Sequence, residues 1–168
     1  MPDPADTSAK DRPLIFGEFR RSVDERYRLS IPSELTDSLT GGNSECVLVK
    51  ERPGSLSLWS TTKWKERLDS AVNVVESKWK AGRLDSRLYD VQSLGRLLST
   101  RHRDVTLAGR GRLVIPDGFR EFLGVEAGGE VLLVGAAVCV EIWKPENWIN
   151  YLNDHMTEFG GLLDELSN

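Results

Sequence analysis

Cysteine, histidine and methionine each occur only twice in the 168 residues, and no long apolar run is present. Each shortage excludes something. Cys46 and Cys139 both lie beside apolar residues, which fits buried thiols and not a disulfide framework or a metal site. His102 and His155 have no matched carboxylates at a diagnostic spacing, and the chain contains no H-E-x-x-H, P-loop or G-x-S-x-G pattern. Gly109–Arg110–Gly111 is a Gly-rich turn, but it lacks the Lys–Ser/Thr of a nucleotide loop. No catalytic residue, metal or cofactor is therefore expected, and the protein is not expected to be an enzyme. No apolar stretch approaches the roughly 18–20 residues of a bilayer-spanning helix, so no membrane partner is expected. The first residues are not a basic segment followed by an apolar one, so a secretory signal is not expected and the cytoplasm is the default location.

Positive charge is also short overall, with a formal net charge of −4. Its distribution is uneven. Between Lys78 and Arg112 there are nine Lys and Arg against three Asp, whereas from Asp117 onward there are two basic residues against ten acidic. A positive face inside a net negative envelope is compatible with a polyanionic partner. An unevenly charged solvated surface has the same composition.

What the chain does have is a repeated stretch. Residues 26–35 (RYRLSIPSEL) recur as residues 110–119 (RGRLVIPDGF), at an offset of 84 between Arg28 and Arg112. The same offset relates Ile31 to Ile115, Pro32 to Pro116, Trp59 to Trp143, Trp64 to Trp148 and Leu68 to Leu152. Trp is rare and only five are present, so two Trp pairs at one offset point to a tandem duplication.

Along the chain, residues 1–12 are polar and read as a flexible arm. Residues 13–60 form a first unit. A strand over 14–19 is followed by Arg20 and Arg21, a turn leads to a short strand ending at Pro32, and a short helix buries Leu35 and Leu39. Two strands follow, over 45–50 and 55–59. Residues 61–96 are a helical connector capped by Thr61 or Thr62. Trp64, Leu68, Ala71, Val72, Val75 and Trp79 step by three or four, which predicts a buried stripe. A second helical segment runs through Leu84, Leu88, Val91 and Leu94. Residues 97–144 repeat the first unit, with Phe119 and Leu123 in place of Leu35 and Leu39. Residues 145–168 hold a final helix opened by Pro145, then an acidic tail expected to fray from Thr157.

Arg28 with Arg26, and Arg112 with Arg110, put two guanidiniums two residues apart in each copy. On an extended segment such residues share a face. Arg20 and Arg21 in the first unit, and Arg101, His102 and Arg103 in the second, lie on the expected partner strands and add to the patch. Arg clamps phosphate and reads guanine in the major groove, so a strand-borne Arg cluster fits a β-type DNA reader. The alternative for Arg28 and Arg112 is a salt bridge that orders the turn, to Asp24 or Asp104.

These motifs resemble the paired SpoVT/AbrB-like domains of the MraZ family, regulators of the bacterial division and cell-wall gene cluster. The signature is Asp, two residues, Gly, Arg, then Leu-x-Ile/Val-Pro. It reads Asp24-Glu25-Arg26-Tyr27-Arg28-Leu29-Ser30-Ile31-Pro32 in one half and Ala108-Gly109-Arg110-Gly111-Arg112-Leu113-Val114-Ile115-Pro116 in the other. The Trp-rich segments and Arg96-Leu97-Leu98 are similar too, and the likeness covers residues 15–152. It implies a mainly β fold with helices, in which tandem AbrB-like swapped-hairpin β-barrel units form a pseudo-two-fold pair. It implies a ring-like homo-oligomer in the cytoplasm, associated with the nucleoid. It implies binding to direct repeats in double-stranded promoter DNA, usually as a repressor. Arg28 and Arg112 would be the principal DNA-facing residues, with Arg26 and Arg110 assisting. Two positions depart from the signature. Tyr27 stands where Gly is expected, which costs about 1 kcal/mol if φ is positive or else forces another turn shape. Ala108 stands where Asp is expected, which removes a carboxylate able to fix the turn through backbone N–H groups. A degenerate oligomeric protein-interaction module without promoter recognition is the alternative that these departures suggest.

Overall fold

The computed structural model describes residues 13–168, so the expected arm over residues 1–12 lies outside the described residues. The strands are β1 (Glu18–Ser22), β2 (Arg28–Ser30), β3 (Glu45–Arg52), β4 (Ser55–Ser60), β5 (His102–Thr106), β6 (Arg112–Val114), β7 (Glu130–Gly135) and β8 (Val140–Trp143). The helices are α1 (Ser33–Thr40), α2 (Thr61–Lys80), α3 (Leu88–Thr100), α4 (Phe119–Leu123), α5 (Pro145–His155) and α6 (Phe159–Ser167). The offset of 84 carries into these elements: β1 and β5, β2 and β6, and the first residues of α2 and α5 are all related by it.

Six strands form one antiparallel sheet in the order β1-β7-β8-β4-β3-β5, and β2 pairs with β6 in a separate two-stranded ribbon. The expected swapped-hairpin barrels are corrected by this pairing. β1 is taken up by β7 and β5 by β3, so those two strands become the open edges of the larger sheet. β2 and β6 pair with each other, so among the described residues no strand remains to close a barrel in either half. The expectation of a mainly β protein is corrected as well. The helices hold more residues than the strands, and the fold is mixed α/β with two sheets.

The core is explained by which face each apolar residue meets. On one face of the large sheet Leu48, Leu56, Leu58, Leu133 and Ile142 are buried with Leu29, Ile31, Leu35, Leu113, Ile115, Phe119 and Leu123. The ribbon, α1 and α4 therefore form a layer over that face. On the other face Val47, Val49, Trp59 and Cys139 gather around Trp64, while Leu132, Trp143 and Trp148 gather around Tyr151 and Leu152. That is the layer of α2 and α5. Strands β3 and β7 bury residues on both faces, which is why their sequences read as apolar runs without alternation. Each fully buried Leu or Ile contributes about 1.5–3 kcal/mol, so the central ribbon residues Leu29 and Leu113 hold it firmly to the sheet. Both cysteines are free and buried, and burial pushes the Cys46 thiol up to about 11 and that of Cys139 to about 12.

Two helical expectations change. Helix α2 is capped by Ser60, whose hydroxyl accepts the Lys63 N–H at 3.3 Å, and not by Thr61 or Thr62. Its stripe is only half-buried at Trp64, Leu68, Val72 and Val75, while Ala71 and Trp79 are exposed. The main contacts of α2 are with β3 and β4, and Trp64 packs on Trp59 at 5.8 Å between ring centroids. Beyond Thr157, where an acidic tail was expected, the chain forms a further helix. Helix α6 runs through the Gly160–Gly161 pair, and Phe159, Leu162, Leu163 and Leu166 recur along it at helical spacing with all four side chains exposed.

Candidate nucleic-acid interface

The two Arg motifs meet in the ribbon. In its register Arg28 faces Val114, Leu29 faces Leu113 and Ser30 faces Arg112. Alternation sends Leu29 and Leu113 into the core and leaves Arg28, Ser30, Arg112 and Val114 exposed on the opposite face. Arg28 and Arg112 are thus diagonal neighbours on one surface, about 7–8 Å apart by ordinary sheet geometry. Each comes from a different half of the chain.

The loops at the two ends of the ribbon are held reciprocally. Ile115 N–H donates to the Tyr27 carbonyl at 2.9 Å, and Ile31 N–H donates to the Gly111 carbonyl at 2.9 Å. Arg26 and Arg110 sit in the turns and not on the strands, so each lies at a ribbon end and does not share a strand face with Arg28 or Arg112. Among the described residues, the side chains of Arg26, Arg110 and Arg112 make no hydrogen bond or ion pair.

The first turn is closed by a carboxylate. Asp24 Oδ1 accepts the N–H groups of Arg26 at 2.8 Å and Arg28 at 2.9 Å, and Oδ2 accepts Arg28 Nε at 2.6 Å. The Arg28 backbone N–H, with the Arg28 side chain and the Arg26 N–H, holds the Asp24 carboxyl below its ordinary range, against the opposing pull of desolvation. The second turn has Ala108 at the equivalent place and is closed by main chain alone. Ala108 and Arg112 exchange both N–H to carbonyl bonds, at 2.8 and 2.9 Å. Of the two alternatives for these arginines, Arg28 has the salt bridge to Asp24 and Arg112 has none to Asp104 among the described residues.

The remaining arginines are placed elsewhere. Strand β1 pairs with β7, so Arg20 and Arg21 belong to one edge of the large sheet. Arg20 is engaged by Glu130 at 2.7 Å, and Arg21 donates to the Arg20 carbonyl. Arg101 and Arg103 lie at the opposite edge, where Arg101 Nε donates to the Lys50 carbonyl at 2.9 Å. The structure therefore joins Arg28 to Arg112 and separates Arg20 and Arg21 from Arg101 and Arg103.

Comparison with known proteins bears on the same motif. The family model described as "MraZ protein, putative antitoxin-like" matches residues 100–159. A curated protein of Alkaliphilus metalliredigens named "Transcriptional regulator MraZ" is 28% identical over 155 residues, covering 92% of this chain and 95% of that protein. One of the same name from Clostridium beijerinckii is 26% identical over 155 residues, with 92% and 98% covered. Another, from Thermus thermophilus, is 28% identical over 135 residues, with 80% and 85% covered. Over most of its length the chain is thus similar to proteins named as MraZ regulators. A solved structure, the solution structure of PHS018 from Pyrococcus horikoshii, covers 78% of this chain at 11% identity, and its TM-score of 0.30 is too low to bear on the fold.

The two departures from the MraZ signature now have a geometry. Tyr27 keeps the turn shape and takes positive φ, 58°, where Gly111 has 85°. A Cβ on Gly111 would lie 2.8 Å from the Ile31 carbonyl oxygen, so glycine is required in that half by contact as well as by φ. Sequence reasoning missed Arg120, whose guanidinium lies 4.2 Å from the centroid of the Tyr27 ring. The signal was available, because the offset of 84 makes Arg120 the counterpart of Thr36, and it faces the turn in which Tyr27 stands at the position of Gly111. Among the described residues no cluster of His, Cys, Asp and Glu could hold a metal ion, and no helix is long and apolar enough to cross a membrane.

Proposed function

We propose that the protein is a transcriptional regulator, acting as a repressor, that reads direct repeats in promoter DNA of a division and cell-wall gene cluster through the β2–β6 ribbon. Its curated relatives are named transcriptional regulators and not enzymes, which supports the regulatory role and a non-enzymatic one. The observation that carries the DNA reading is the presence of Arg28 and Arg112 on one exposed ribbon face, with Arg26 and Arg110 at its ends. A two-stranded ribbon is narrow enough for the major groove, and Arg is the commonest reader of guanine there. Self-association into a ring multiplies weak contacts through effective concentration. The units are residues 13–60 and 97–144, joined by a helical connector over 61–96 and followed by a C-terminal helix over 145–168.

The test is titration of a duplex from the upstream region against a scrambled duplex. Arg28→Ala with Arg112→Ala should weaken specific binding by about tenfold or more, with the fold intact by circular dichroism. Wild-type binding should weaken linearly on a log–log salt plot. An unchanged titration for the double variant rejects the reading. The Asp24–Arg28 ion pair favours a second reading, in which Arg28 only orders its turn within an oligomeric interaction module. In that case the wild-type protein shows no preference for the upstream duplex.

A further inference from the structure

The two ribbon ends are built from the same sequence positions but solve one problem differently. In the second turn Gly111 is small, and Thr36 of α1 comes to 3.2 Å from where a Cβ would be. In the first turn the corresponding residue is Tyr27, and the residue corresponding to Thr36 is Arg120 of α4. Arg120 is held on three sides. Its Nε donates to the Ile115 carbonyl at 2.5 Å, its Nη1 pairs with Asp117 at 2.9 Å, and its guanidinium lies over the Tyr27 ring at 4.2 Å. Ile115 is also the residue whose N–H holds the Tyr27 carbonyl. Arg120 therefore touches the first turn through both its side chain and the strand residue that clamps it.

Left-handed backbone is unfavourable for Tyr27, because its Cβ crowds the following carbonyl oxygen. A cation over the ring face is attracted by the ring quadrupole and so favours the position in which Tyr27 meets Arg120. The stack therefore opposes the cost of the left-handed backbone at Tyr27 itself, beside the Asp24 bonds and the Ile115 clamp that hold the rest of the turn. The neighbouring arginines depend on that conformation, since Tyr27 sits between Arg26 and Arg28.

We propose that Arg120 is the positioning residue of the first Arg turn: by stacking on Tyr27 it fixes the left-handed turn that aims Arg26 and Arg28 from the ribbon. Tyr27 and Arg120 form a matched pair that replaces the Gly111 and Thr36 pair of the other half. The consequence for DNA rests on the function proposed above, but the ordering of the turn does not.

The experiment transplants one pair into the place of the other. Variants Arg120→Thr, Tyr27→Gly and the double variant are compared by amide hydrogen exchange at Arg26 and Arg28 and by titration with the upstream duplex. Arg120→Thr alone should speed exchange at Arg28 and weaken specific binding by about three- to tenfold. The double variant should recover to within about twofold of wild type, because Gly needs no stack. The salt slope should not change in any variant, since the proposed role gives Arg120 contacts only within the protein; a slope lowered by about one would make it a direct DNA contact and overturn the proposal. Equal losses from Arg120→Thr in the wild-type and Tyr27→Gly backgrounds, or no loss in either, also overturn it. If Arg120→Thr fails to fold while the double variant folds, the required pairing is demonstrated. If both fail to fold, Arg120 is a general core support and the proposal falls. If wild type does not prefer the upstream duplex, the DNA function fails, and the exchange data alone decide whether Arg120 orders the turn.

Discussion

Asp24 is the residue on which the first turn closes, because its carboxylate accepts two backbone N–H groups and a guanidinium N–H. Those bonds, led by the Arg28 backbone N–H, hold its carboxyl below the usual aspartate range. The sign follows from linkage: a depressed native pKa gives order that is complete above the ordinary pKa and is lost as pH falls through the lowered one. The Arg28 amide resonance should therefore shift below the ordinary aspartate range, and Asp24→Asn should abolish that shift. A midpoint at the ordinary value would mean that the bonds contribute nothing. The sequence showed this carboxylate as part of a signature, and showed its loss at Ala108. It did not show that main chain would replace it there, because the exchange of bonds between Ala108 and Arg112 involves no side chain.

At the level of elements, the ribbon is where sequence and structure differ most usefully. The alternation Leu29–Ile31 and Leu113–Ile115 was readable as two short strands, and Leu35, Leu39, Phe119 and Leu123 as buried helix positions, because burial follows period. Partnership does not follow period. The arginines Arg20, Arg21, Arg101 and Arg103 were assigned to strands pairing with β2 and β6, whereas β1 and β5 go to opposite edges of the large sheet. The stripe on α2 is a similar case, since spacing reveals that a face is apolar but not whether another element covers it. The reciprocal clamp makes a firm prediction. Gly111→Ala should cost about 2–3 kcal/mol in urea denaturation, as the added methyl meets the Ile31 carbonyl in a left-handed turn. A loss under about 0.5 kcal/mol would show that the clamp yields easily.

For the molecule as a whole, the exposed apolar side chains are concentrated in helices away from the ribbon. Val74 and Trp79 of α2, Leu88, Tyr89 and Leu97 of α3, and Phe159, Leu162, Leu163 and Leu166 of α6 are all open in the single chain. The proposed self-association would cover some of this surface. Ending the chain after Glu158 removes α6, which contributes no buried residue to the core. That truncation should keep the cooperative melt of the remaining protein and lower its mass by light scattering. An unchanged mass would place the contacts between copies elsewhere.

The unequal ends of the ribbon give the molecule a direction. One end carries Tyr27, stacked by Arg120 and tied through Asp24, and the other carries Gly111 with an Arg112 that has no such tie among the described residues. A symmetric reader lies equally well in either sense along a duplex and suits an inverted repeat. A reader with a head and a tail has a preferred sense. If the ribbon lies on DNA as proposed, successive copies of this chain are set in the same orientation, and tandem sites in a single sense are the arrangement that matches them.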